Sequence, residues 1–103
     1  MSNYLLTYYG GGMPETQEEQ ARVMKAWESW FGALGDKLVD GGNPTAASKA
    51  ISPDGSVMDP TQAPSGYSII KADDLGAAVQ LAQDCPVKLG GANILVSEIL
   101  NVM

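Results

Sequence analysis

A chain of 103 residues is one domain's worth, 1–103, and at this length folding hides only about 60 to 70% of the unfolded surface, so the core is thin and a partner surface would help. Its 45% hydrophobic content and two tryptophans argue against disorder, while twelve acidic residues against six basic ones leave a net charge of −6 and no cationic stripe for nucleic acid or an anionic membrane. The start, Met1 to Tyr4, lacks the basic and apolar regions of a signal peptide, and no apolar run nears the roughly 20 residues of a membrane span, so a cytoplasmic chain is expected.

Asn3 to Tyr9 is an unbroken aromatic and branched run stopped by Gly10-Gly11-Gly12, which predicts a first, central strand. Thr16 with Glu19 three residues on forms a capping box, and Glu15, Glu18 and Glu19 complement the positive end of a helix dipole, so a helix should begin at Thr16. Val23, Met24, Trp27, Trp30, Phe31 and Leu34 recur at helical spacing and predict one sheet-facing stripe, opposite Arg22, Lys25 and Glu28. Gly35 should end this helix, and Gly41 to Pro44 reads as a loop.

Pro53-Asp54-Gly55 is a turn signal that predicts a hairpin from Ala46 to Met58, followed by a polar, proline-rich loop from Asp59 to Ser65. Gly66 to Ala72 predicts a strand rich in Tyr and Ile. Asp73 or Asp74 would cap a second helix with Leu75, Ala78, Val79 and Ala82 along one face, and Pro86 forbids its continuation past Cys85. Gly90-Gly91 precedes a final strand, Ala92 to Leu100, apolar on both faces.

This order predicts an α+β, ferredoxin-like pair of βαβ units with an extra β-hairpin and both helices on one side of a mostly antiparallel sheet. Strands apolar on both sides need a second cover, and a short chain obtains it most easily from another copy of itself, so a homodimer is expected.

Several stretches resemble the YCII-related (DGPF-type) family: Tyr4-Leu5-Leu6-Thr7-Tyr8-Tyr9-Gly10, Ala26-Trp27 on the helix, and above all Gly66 to Leu75 with Ala77-Ala78. Cys85-Pro86, Gly90-Gly91 and the last strand continue the likeness, which covers nearly the whole chain. The resemblance implies a dimeric α/β barrel, two ferredoxin-like sheets facing one another around a shared cavity, in a group whose relatives include small cofactor-independent isomerases, dehalogenases and monooxygenases. Some relatives carry a histidine and an aspartate as a proposed catalytic pair. This chain has no histidine, and where the family often has Asp-Gly-Pro-Phe it has Asp59-Pro60, so Asp59 alone is left as the matching acid.

Without histidine the sequence offers no Ser-His-Asp triad, no Cys-His pair and no histidine-based zinc site, and its single cysteine, Cys85, can form neither an internal disulfide nor a thiolate cluster. No metal or cofactor is expected. Cys85 before Pro86 reads as a buried, inert thiol. Gly10-Gly11-Gly12 lies where a phosphate loop would, but no Gly-Lys-Ser/Thr follows and three glutamates crowd the helix start. Asp54 reads as a turn residue, Asp73 and Asp74 as caps, and Glu98 as a surface acid among strand residues.

The ligand-pocket candidates are Tyr8, Tyr67, Asp59 and Trp27, since aromatic rings with a few polar groups hold small apolar or aromatic ligands. The leading reading is a non-catalytic, dimeric small-molecule-binding or regulatory module, with no catalytic residue identifiable. Its alternatives are a cofactor-independent enzyme acting on a small ring compound or lactone, with Asp59 or Glu98 as base and a tyrosine as acid, and a protein-interaction domain whose sheet face binds a different chain.

Overall fold

A computed structural model describes residues 1–12 and 14–102. Its centre is a four-stranded antiparallel sheet made of β1 (Ser2–Tyr9), β2 (Leu38–Asp40), β5 (Pro64–Ala72) and β6 (Asn93–Glu98), in the spatial order β2-β5-β1-β6. Two helices, α1 (Gln17–Leu34) and α2 (Leu75–Ala82), carry the crossovers and pack on the same side of it. This is the expected ferredoxin-like α+β plan. β3 (Ala50–Ile51) and β4 (Val57–Met58) form a separate two-stranded sheet, the extra hairpin.

Local chemistry sets the boundaries much as the residues imply. The Thr16 hydroxyl accepts from the Glu19 N–H at 3.1 Å, and the Glu19 carboxylate accepts from the Glu15 N–H at 3.3 Å, so the box closes one residue outside its usual partner. Gly35, at φ +53°, ends α1, its N–H donating to the Phe31 carbonyl. Asp74 rather than Asp73 caps α2, accepting from the Ala77 N–H at 2.8 Å. Each such cap is worth about 1 kcal/mol.

The sheet-facing stripe of α1 is narrower than expected. Trp30 and Leu34 are buried, Trp27 and Phe31 are half-buried against the core, and Met24 points away at 63% exposure. One residue occupies about 100° of helix, so Met24 lies beside the stripe that Val23 joins rather than in it. On α2 the buried face is Ala78 and Ala82, flanked by Ala77 and Leu81, while Leu75 and Val79 stand exposed. The alanines bring α2 close to the sheet, and the larger apolar residues fall outside that contact. The Trp30 indole Nε1 donates to the Leu81 carbonyl at 3.1 Å and ties the two helices together.

Two strand expectations change. β2, three residues long, lies where only a helix end and a loop were expected, because Leu38–Asp40 is too short to show alternation. Its chain continues irregularly along β5, with Pro44 bridging Gly66, the Thr45 N–H donating to the Ser65 carbonyl at 3.0 Å and the Tyr67 N–H to the Asn43 carbonyl. β5 correspondingly starts at Pro64, inside the stretch read as loop, and β6 is shorter than Ala92 to Leu100.

Candidate functional site

The core fixes which way each strand faces. Tyr4, Leu6 and Tyr8 of β1, Ser68, Ile70 and Ala72 of β5, and Ile94 and Val96 of β6 belong to the helix side. Alternation therefore turns Leu5 and Thr7, Tyr67 and Ile69, and Leu95 and Ser97 to the opposite side. The register sets them in rows: Leu5 lies between Ile69 and Ser97, and Thr7 between Tyr67 and Leu95. At the edge, a bulge in β2 places Asp40 opposite Ile69, and its carboxylate accepts from the Gly42 N–H at 2.8 Å. The result is an apolar field with a phenol, two hydroxyls and one carboxylate around it, and Leu95 within it is 52% exposed.

The backbone that holds Tyr67 there tolerates little change. Gly42 sits at φ +77°, and a Cβ built on it would lie 1.6 Å from the Tyr67 carbonyl oxygen. Only glycine lets the chain after β2 lie this close to β5.

Beneath, on the helix side, four groups make a buried chain of hydrogen bonds. The Cys85 thiol donates to the Tyr8 hydroxyl at 3.5 Å, Tyr8 donates to Ser68 Oγ at 2.7 Å, and Ser68 donates to the Gly41 carbonyl at 2.9 Å. It runs from the segment after α2 through β1 and β5 to the segment after β2, and every buried side-chain polar atom among the described residues has a partner. Burial pushes the Tyr8 phenol and the Cys85 thiol up, so both keep their protons near neutrality. Tyr8 is thus a structural phenol. Cys85 is buried with its thiol protonated, and burial outweighs the lowering influence of Lys88, so it lacks the exposure and thiolate character of a nucleophile.

The four pocket candidates are not brought together. Tyr8 and Trp27 meet edge to face on the helix side, with ring centroids 6.0 Å apart, in a cluster that continues through Trp30 and Phe31. Tyr67 projects from the other side of the sheet. Asp59 lies near the base of the hairpin, paired with Lys49 at 2.6 Å with both side chains largely exposed. Glu98 is exposed and stands opposite Tyr4, whose phenol is raised by burial first and by Glu98 and Asp74 next. What residue types alone did not single out are Leu5, Thr7, Ile69, Leu95 and Asp40, a set defined only by register. Among the described residues no cluster of three or more histidine, cysteine or acidic side chains could hold a metal ion, and no helix is long and apolar enough to cross a membrane.

The sequence matches no protein-family model. No curated protein matches it either. The fold does match solved structures, among them 5-chloro-2-hydroxyhydroquinone dehydrochlorinase (TftG) from Burkholderia phenoliruptrix AC1100 in complex with 2,5-dihydroxybenzoquinone. That likeness has a TM-score of 0.56 at 15% identity and covers 95% of this chain and 93% of that one. At this identity it establishes the shared architecture: an antiparallel sheet with its helices on one side.

Proposed function

We propose that this chain is a YCII-related homodimer that binds a small, largely apolar ring compound in a chamber between the open sheet faces of two copies. The observation that carries this reading is the uncovered side of the sheet, where Leu5, Ile69 and Leu95 lie opposite the helices with Tyr67 and Thr7 beside them. Apolar residues on a sheet face need a cover, and an apolar field with a few hydroxyls is the lining that small ring compounds favour. The fold shared with TftG, solved with a dihydroxybenzoquinone, supports the same ligand class.

One feature favours catalysis as a second reading. Asp40 and Tyr67 flank Ile69 and could serve as base and acid toward a ring hydroxyl, a better-placed pair than Asp59 or Glu98. The probe is 2,5-dihydroxybenzoquinone, followed by methyl NMR of the leucines and isoleucines and by ring absorbance. Binding predicts saturable shifts at Leu5, Ile69 and Leu95 that Leu95→Lys abolishes. Turnover of an added chlorinated hydroquinone that Asp40→Asn removes would move the assignment to an enzyme. A monomer at micromolar concentration, or shifts confined to the helix side, would overturn the chamber.

A further inference from the structure

The hairpin stands away from the body of the domain. The chain measures 44 × 38 × 19 Å with a radius of gyration of 15.1 Å, against about 13 Å for a compact chain of this length. Among the described residues β3 and β4 pair only with each other, Ala50 opposite Met58 and Ile51 opposite Val57. Yet the arm is well built. The Ser52 N–H donates to the Ser56 carbonyl at 2.9 Å, the Gly55 N–H to the Ser52 carbonyl at 2.8 Å, and the Asp54 carboxylate accepts from the Ser56 N–H at 2.8 Å. Lys49 and Asp59 then clasp its base.

Its apolar residues have no cover among the described residues: Ile51 is 73% exposed, Val57 65% and Met58 49%. A lone two-stranded hairpin is marginal in water, and one that presents three apolar side chains is built to meet a surface. The area of the sheet says which surface. Four strands at about 4.8 Å spacing and seven residues at about 3.4 Å give an open face of roughly 460 Å² in plan, which side-chain relief enlarges only in part. A stable interface buries about 800 Å² on each partner, and a chamber left open for a ligand lowers what the sheets can supply. The sheet face alone is too small.

We propose that the arm formed by residues 46–63 is the second half of the dimer interface, with Ile51, Val57 and Met58 seated on the partner copy. This rests on the homodimer reading above and deepens it: the two arms supply the apolar area that the sheets lack. Sedimentation across a concentration series, on wild type and on Ile51→Asp/Val57→Asp, tests it. The expected result is a wild-type dimer and a variant whose dissociation constant rises at least roughly tenfold, as loss of a central apolar contact gives, with circular dichroism unchanged. A wild-type dimer whose affinity the variant leaves intact overturns the arm and leaves the sheet-to-sheet dimer standing. A wild-type monomer overturns both. Mixed labelled and unlabelled dimers give an independent readout: intermolecular contacts from the Ile51 and Met58 methyls are expected, and their absence in a wild-type dimer overturns the arm.

Discussion

The buried chain from Cys85 to Gly41 makes an asymmetric prediction. In Tyr8→Phe the hydroxyl disappears, but Ser68 still donates to the Gly41 carbonyl and the one donor left without its acceptor is the weak Cys85 S–H, so the loss is one neutral hydrogen bond and a long thiol contact, about 1 kcal/mol. Ser68→Ala is different. It strips the acceptor from the Tyr8 hydroxyl and the donor from the Gly41 carbonyl at a position with no solvent access, which costs about 2–3 kcal/mol. The double variant removes the orphaned hydroxyl as well and should cost no more than Ser68→Ala alone, a coupling of about 1 kcal/mol. Urea unfolding at fixed protein concentration and constant m measures all three, and thermal midpoints should fall roughly 4–8 °C per kcal/mol. Equal costs for the two single variants, or costs that add within about 0.5 kcal/mol, would refute the directionality assigned to this chain.

Two glycines of similar dihedral angle should behave differently. Gly42→Ala, with its Cβ forced to 1.6 Å from the Tyr67 carbonyl, should cost more than about 4 kcal/mol or prevent folding, whereas Gly10→Ala, at φ +74° with open space around it, should cost only the backbone strain of about 1–2 kcal/mol; thermal melts of both decide it. The Asp54 carboxyl is held at about 2 by the hydroxyl of Ser52 first and then by Ser56, below the ordinary 3.8. Because the folded value is the lower one, its support of the hairpin turn is complete above the ordinary carboxylate range and is lost as pH falls toward about 2. Carboxyl NMR should show that midpoint, moving upward in Ser52→Ala, and a midpoint near 4 in wild type would contradict the turn geometry.

Most of the architecture was legible because its signals are local. Thr16 with Glu19, Gly35, Pro53-Asp54-Gly55 and Asp74 each act within a few residues, and each falls where the sequence places it. β2 was not legible, since Leu38–Asp40 is three residues held by pairing with β5 alone. Met24, Leu75 and Val79 were assigned to the sheet side because helical spacing marks an apolar stripe without saying how wide the contact is. The buried position of Ser68 was equally invisible, for its partners are a phenol 60 residues and a carbonyl 27 residues earlier in the chain.

The candidate site failed to assemble for a sharper reason. Tyr8 and Tyr67 both read as strand tyrosines, and β1 pairs with β5, so sharing one pocket looked natural. The ladder sets Tyr8 against Gly66 and Thr7 against Tyr67, and directly paired residues share a face, so the two rings end on opposite sides of the sheet. A shift of one residue would have put them together and exchanged the core of β1, Tyr4-Leu6-Tyr8, for Leu5-Thr7-Tyr9. The choice between those sets rests on fit: Gly66 leaves room for the Tyr8 ring, and Ser68 gives its hydroxyl an acceptor, whereas Thr7 has neither beneath the helices. The tyrosine that can meet a ligand is therefore the one the core has no place for, and the same register that buries Tyr8 delivers Tyr67, Ile69 and Leu5 to the open side as one surface.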